Sequence, residues 1–175
     1  MRNVLLGVAV SLDGYIEGPN GEYDWCLTDQ DYGMAEFLNR VDALFFGRKS
    51  YEVFASQEAP AGSDPFAAHK KYVFSNTLRE VSEGIELVSG DLKTAVNRLK
   101  NEPGKDIWLF GGAELTASFL DAGLVDELFL AVHPLILGGG KRLFAERPDR
   151  LPLTLTDTKT YSTGLVSLYY RLDSR

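Results

Sequence analysis

The sequence predicts an α/β fold. The expected form is a three-layer α/β/α sandwich around a mixed sheet of about eight strands, with an antiparallel hairpin at its C-terminal end. Two observations carry this. Short runs at 42–46, 71–75 and 107–110 are almost wholly apolar and alternate with helix-period stripes, the mark of parallel strands covered on both faces. The pattern then changes. Leu153-Thr154-Leu155-Thr156-Asp157-Thr158 alternates apolar and polar, Ser162-Thr163-Gly164 turns the chain, and Leu165 to Leu172 runs back.

The elements follow in order. Strand 3–10 leads into a Gly/Pro-rich stretch, 11–21, long enough to act as a lid. Met34, Phe37, Leu38 and Val41 form a one-face stripe, so 30–40 is a helix, with Asp29 placed as its N-cap. Strand 42–46 ends at Gly47, and a helix opens at Arg48. Residues 52–69 finish that helix and make an exposed excursion. Strands 71–75 and 85–88 come next. Leu92, Ala95, Val96 and Leu99 mark a helix at 91–101, capped by Asp91 and ended by Pro103-Gly104. Strand 107–110 turns through Gly111-Gly112 into a helix at 113–122, with Gly123 beyond its end. Strands 126–132, 152–159 and 164–172 complete the sheet. The whole, 1–175, reads as one domain.

Composition narrows the function. With 45% apolar and 25% charged residues, the chain is an ordinary globular one. A net charge of −7 argues against a duplex-binding surface, which needs a basic stripe. The single cysteine, Cys26, permits no internal disulfide and fits a reducing, cytoplasmic location. Residues 4–10 are too few to span a bilayer. No His/Cys/carboxylate cluster has metal-ligand spacing, and neither a Gly-x-Ser-x-Gly elbow nor a Walker loop occurs. The two histidines, His69 in the excursion and His133 before Pro134, read as structural.

Two strand-to-helix turns concentrate glycine: Phe46-Gly47-Arg48-Lys49-Ser50 and Phe110-Gly111-Gly112-Ala113-Glu114-Leu115. Such a turn brings bare backbone N–H groups and a helix dipole to one place, which suits a phosphate. Tight packing is the alternative for each alone. Gly138-Gly139-Gly140 before Lys141-Arg142 reads first as a flexible connection.

These motifs, in order along essentially the whole chain, resemble the dihydrofolate reductases. Those enzymes carry Gly-Arg-x-Thr/Ser after the second strand, as in Gly47-Arg48-Lys49-Ser50, and a Gly-Gly turn later, as in Gly111-Gly112. "SLDGYIEG" at 11–18 and "HPLILGGGKRLF" at 133–144 resemble a sister group, the C-terminal reductase domain of riboflavin-biosynthesis deaminase/reductases. The nearest likeness overall is to stand-alone bacterial proteins of this group. The chain departs from the riboflavin enzymes at "GRKSYE", where they have paired Asp-Pro, and at Phe110, where they have an acid. It departs from the folate enzymes at Ala131, where they have a threonine.

The resemblance implies an NADPH-dependent reductase of a small pterin- or pyrimidine-like heterocycle. The alternatives are a riboflavin-type reductase acting on a ribose-phosphate pyrimidine and a non-catalytic nucleotide-binding protein. For the cofactor it points to Ala9 beside the nicotinamide, the Gly47 and Gly111-Gly112 turns through Leu115, and Arg48 and Lys49 on a 2′-phosphate. Ser50, Ser75 and Asn76 add donors. Counting from flanking motifs places the folate-type carboxylate at Asp29 or Asp31. Asp31 is the catalytic assignment, while Asp13 and Asp24 lie on the lid. Asp13, Trp25 and Tyr51 are placed at the substrate, with Trp25 either core or wall and Tyr51 either proton donor or packing. The apolar hairpin at Leu165, Val166, Leu168, Tyr169 and Tyr170 implies a homodimer.

Overall fold

The computed structural model describes residues 1–56 and 64–173. The elements are β1 (Val4–Ser11), β2 (Tyr15–Glu17), α1 (Met34–Arg40), β3 (Val41–Gly47), α2 (Arg48–Ser56), β4 (Lys70–Phe74) and β5 (Ile85–Val88). They continue with α3 (Leu92–Asn101), β6 (Asp106–Gly111), α4 (Ala113–Asp121), β7 (Glu127–His133), β8 (Lys141–Arg142), β9 (Leu153–Thr160) and β10 (Val166–Leu172). Eight strands form one sheet in the order β5-β4-β3-β6-β1-β7-β10-β9. Neighbours from β5 to β7 are parallel, and β10 runs antiparallel to both β7 and β9. The three-layer architecture and its antiparallel end are as the sequence predicts. The part of the 52–69 excursion at 57–63 lies outside the described residues.

Strand alternation sorts the core into two faces. Val4, Leu6, Phe45, Ile107 and Leu109 pack with Val96 and Leu99 of α3 and Phe119 of α4. Leu5, Leu44, Phe46 and Trp108 face the other way, against Phe37 of α1 and Tyr51 of α2. Two predicted caps are present: Thr94 N donates to Asp91 Oδ1 at 2.8 Å, and Gly123, at φ 66°, follows α4 while Leu124 N reaches back to Phe119 O at 2.9 Å.

Other details differ. Helix α1 begins at Met34, not at residue 30, because Tyr32 (φ 52°) and Gly33 (φ 83°) are left-handed. Tyr32 is held there by bonds from its hydroxyl to Asp29 and to Thr163 Oγ1, and by its ring against Tyr161. Asp31, not Asp29, therefore serves the helix start: its carboxylate accepts from Gly33 N at 3.0 Å and Ala35 N at 2.9 Å. β2 and β8 add a second, two-stranded sheet where the sequence reads as loop. Segments of three and two residues carry no periodicity, and their pairing spans most of the chain. The C-terminal strand begins at Val166 and lies between two others, so Leu165 is buried and its neighbours are largely covered. The exposed apolar residues of the hairpin are Leu153 and Leu155 on the edge strand β9.

The starts of the strands are tied by charge. Arg40 makes a two-pronged contact with Glu127 at 2.7 and 2.8 Å and reaches Asp106 at 2.9 Å, and Arg2, almost fully buried, pairs with Asp42. Lys100 meets Asp126 at 2.7 Å, and that carboxylate also caps Val4 N. The opposite end of the sheet is left to glycines.

Phe45 is fully buried, with the rings of Tyr72, Phe74 and Phe119 within 6.0 Å. Phe45→Ala should cost about 3–5 kcal/mol in urea unfolding, the range for a large aromatic truncated in a close-packed core.

Candidate functional site

A cavity of 840 Å³ opens at the C-terminal ends of β1, β3 and β6. This is where α/β sheets place ligands, since strand ends and helix N-termini converge there. The first turns of α2 and α4 form one side, from Gly47 to Ser50 and from Gly112 to Leu115, with Phe110 beside them. The N–H groups of Ala113, Glu114 and Leu115 have no partner within the helix and stand at this wall. The two turns pack on each other. Ser50 Oγ accepts from Gly112 N at 2.8 Å, a Cβ on Gly112 would meet that oxygen at 3.0 Å, and one on Gly47 would meet Leu115 Cβ at 3.3 Å. A side chain at either glycine would therefore be tight against the other turn.

The cations at this wall already have partners. Lys49 Nζ lies 2.6 Å from Glu114 and Arg48 Nη1 2.9 Å from Glu52, with all four side chains exposed. Hydrogen bonding from Lys49, reinforced by its charge, holds the Glu114 carboxyl below its ordinary range. The lining also includes Lys141 of β8, beside the glycine triplet, and residues that the sequence reading missed: Ile16, Glu17 and Tyr23 from the segment after β1, and the aromatic pair Phe54 and Phe66. Phe54 could have been found, because it lies one helical turn beyond Ser50. Phe66 follows the excursion and carries no local signal.

The remaining candidates lie elsewhere. Ala9 is on β1 but on the face opposite its neighbour Val8, which lines the cavity. Ser75 Oγ caps Thr77 N and Leu78 N, and Asn76 Oδ1 accepts from Gly90 N, so both serve the turn after β4. Tyr51 is buried, with its hydroxyl bonded to Ser82 N at 2.9 Å and Ser82 Oγ at 3.0 Å, which is a packing arrangement. Asp31 caps α1, outside the cavity lining, so the expected carboxylate in the first helical turn is not there. Trp25 stands edge-on to His133, ring centroids 5.3 Å apart, and its indole N–H donates to Glu22 O at 3.3 Å. Burial and the charge of Asp24 push the Cys26 thiol up to about 11, which removes it as a nucleophile. Among the described residues, no group of three His, Cys, Asp or Glu side chains could hold a metal, and no helix is long and apolar enough to cross a membrane.

Asp13 is a clasp. Its carboxylate accepts from Ser11 Oγ at 2.7 Å, Leu137 N at 3.0 Å and Gly138 N at 2.8 Å, joining the loop after β1 to the loop after β7. β2 and β8 pair alongside, and Arg142 lies over the Tyr15 ring at 5.0 Å. The glycine triplet is not a slack connection. A Cβ on Gly140 would fall 2.1 Å from Glu17 O, so the two loops touch backbone to backbone.

Comparison with known proteins gives consistent results. The model of the family described as RibD C-terminal domain matches residues 2–167. YyaP of Bacillus subtilis (strain 168), itself described as uncharacterized, is 43% identical over 178 residues, covering 97% of this chain and 94% of that one. The crystal structure titled "Putative riboflavin biosynthesis protein" from Shewanella sp. PV-4 superposes with a TM-score of 0.87 at 28% identity, covering 99% of this chain and 100% of that one. Dihydrofolate reductase from Enterococcus faecalis shares the fold, with a TM-score of 0.71 at 13% identity and coverage of 98% and 97%.

The clasp has a pH signature. Burial works against the Asp13 charge, but hydrogen bonds from Ser11, Gly138 and Leu137 outweigh it and hold the carboxyl below the ordinary aspartate range. A depressed folded value means that the clasp is intact above the ordinary carboxylate range and lost as pH falls through the lower value. Asp13→Ala should speed amide exchange at Leu137 and Gly138 at neutral pH while leaving the urea midpoint nearly unchanged. Unchanged exchange would show that β2 and β8 hold the loops unaided.

Proposed function

The chain belongs to the RibD C-terminal domain family, and on that premise we propose that it is a reductase that passes a hydride from NADPH to a small pterin- or pyrimidine-like heterocycle. The observation that carries this reading is the pair of interlocked glycine turns, which set two helix N-termini and two cations on one side of a cavity wide enough for a nucleotide.

The residues present fit the nicotinamide cofactor that the family implies. The N–H groups of Ala113, Glu114 and Leu115 would hold its pyrophosphate, and Arg48 and Lys49 its 2′-phosphate. When bound, it supplies the hydride. The chain's own residues do the rest. Val8 and Phe110 give an apolar floor, the Asp13 clasp keeps Ile16 and Glu17 over the cavity, and Lys49 exchanges Glu114 for a phosphate. A riboflavin-type substrate, the second reading, finds Phe110 where those enzymes are acidic. Phe110 here packs on Phe46 at 4.9 Å, which favours a ring without that partner. The reading includes a cytoplasmic location and a homodimer. The dimer surface moves from β10 to β9, where Leu153 and Leu155 are exposed. Light scattering that returns only a 19.4 kDa particle at micromolar concentration would exclude the dimer.

Loss of nicotinamide absorbance with a panel of heterocyclic acceptors tests the reductase reading. Binding of NADPH with no oxidation across a broad panel would favour a non-catalytic nucleotide-binding protein. Arg48→Ala should weaken NADPH by about 1–3 kcal/mol and NADH much less. Equal weakening of both removes the 2′-phosphate assignment. Glu114→Gln takes a competing carboxylate from the start of α4 and releases Lys49, so it should tighten NADPH by roughly 0.3–1 kcal/mol. Calorimetry on the two variants measures both effects.

A further inference from the structure

Among the described residues four buried side-chain polar atoms have no partner, and two of them, His133 Nε2 and Ser167 Oγ, are on residues that are 2% and 0% exposed. They share one face of the sheet. His133 pairs with Ser11 across β1, while Ala131, two residues earlier on β7, pairs with Ala9 on one side and Ser167 on the other. His133 and Ser167 are therefore diagonal neighbours, with Cβ atoms about 7 Å apart. Leaving either atom buried without a bond is unfavourable, so the pair needs an explanation.

Their surroundings suggest one. Further along this face, at Gly7, the rings of Phe37 and Trp108 come so close that a Cβ would meet them at 2.7 and 2.9 Å. At His133 the indole of Trp25 stands edge-on. Between these aromatic walls lie Ala9 and Ala131, small and half-buried. Gly7 to Ser11 covers roughly 13 Å of strand, and the indole of Trp25 closes the far end of this stretch over His133. The cover is lightly held. Trp25 is half-buried, belongs to the segment between β2 and α1, and has one long hydrogen bond, to Glu22 O at 3.3 Å.

We propose that His133 Nε2 and Ser167 Oγ form the polar edge of the hydride-acceptor site, and that Trp25 is a cover which the acceptor ring displaces. The chemistry of the edge then names the ligand class. His133 Nδ1 lies 2.9 Å from Ala131 O, and a carbonyl only accepts, so the ring proton sits on Nδ1 and Nε2 is a bare acceptor. Burial, which lowers the pKa of His133, keeps that ring neutral. Ser167 offers a hydroxyl that can donate. An acceptor for a ring N–H beside a donor for a ring carbonyl reads a lactam edge. A heterocycle carrying adjacent N–H and C=O groups satisfies both atoms at once, and the site needs no carboxylate, consistent with Asp31 being spent on α1. The inference rests on the reductase reading only for the ligand's role as hydride acceptor.

The test uses lumazine, a pteridine-2,4-dione, and 1,3-dimethyllumazine, which keeps the ring and has no N–H. Equilibrium dialysis with and without NADPH compares the wild type with Ser167→Ala and His133→Phe. Lumazine should bind the wild type at least about tenfold more tightly than its dimethyl form, and each variant should lose about that factor for lumazine alone. Tryptophan emission should change as lumazine binds, and the change should be clearly smaller in Trp25→Phe, where only Trp108 reports. NADPH affinity, measured separately, should be the same in all variants, which also reports that they are folded. Lumazine affinity unchanged in both variants, or no saturable binding to the wild type, overturns the proposal and leaves the two atoms sharing a buried water. Failure of the wild type to bind NADPH would instead count against the reductase reading, because dialysis of lumazine alone still tests the lactam edge.

Discussion

Everything at the site depends on how closely β3 and β6 end. Phe46 lies beside Gly111 in the sheet, and directly beyond that register the two chains turn into α2 and α4. The turns meet through one hydrogen bond, from Gly112 N to Ser50 Oγ, and through contact of Gly47 with Leu115. The bond alone is worth about 1 kcal/mol. A steric condition adds to it: a Cβ at either position would crowd its neighbour, Ser50 Oγ at 3.0 Å or Leu115 Cβ at 3.3 Å, which would have to give by a few tenths of an ångström. Glycine here answers packing, and the same packing puts the starts of both helices at the cavity wall.

Charge is divided between the two ends of the sheet. At the strand starts Arg2 and Lys100 are buried on carboxylates, and Arg40, itself exposed, bridges Glu127 and Asp106, which ties neighbouring strands together. At the strand ends Lys49 and Arg48 make exposed pairs that carry little stability, since such pairs are worth about 0–1 kcal/mol. A cation held so weakly can be taken by a phosphate at small cost. A buried pair at the same place would resist exchange, so the chain keeps its strong pairs at the far end.

The fold was largely legible because its signals are local. The apolar runs that became β3, β4 and β6, the stripe on α3 with its Asp91 cap, and Gly123 after α4 each lie within a dozen residues. The site was only half legible, for the opposite reason. Gly47 to Ser50 and Gly112 to Leu115 announce themselves by composition, but Phe66, Tyr23 and Lys141 reach the cavity through tertiary contacts. Asp31 shows how counting fails. A stripe at residues 34, 37, 38 and 41 fixes which face of a helix is inside, not where the helix starts. Left-handed Tyr32 and Gly33 move that start and turn the carboxylate to capping. β2 and β8 are set by the clasp at Asp13 and by the contact of Gly140 with Glu17, neither of which short sequence windows contain.

The lid and the face beneath Trp25 are mechanically one segment. Ser11 ends β1, donates to Asp13, accepts from Tyr15 N, and sits across from His133. From that point the chain passes over the cavity at Ile16, Glu17 and Tyr23 and then, two residues after Tyr23, places Trp25 on His133. Tight turns join these contacts, with Gly18 N bonded to Glu22 O at 2.8 Å and Cys26 N to Tyr23 O at 3.1 Å. A ligand that presses on Ile16 and Tyr23 therefore acts on the same short, internally bonded piece of chain that carries the indole. Differential contact with two positions of that piece is the condition for one occupant to alter the affinity for another. The clasp at Asp13 anchors its near end and the left-handed turn at Tyr32 its far end, so the cavity lining and the aromatic cover both lie on one piece of chain held at its two ends.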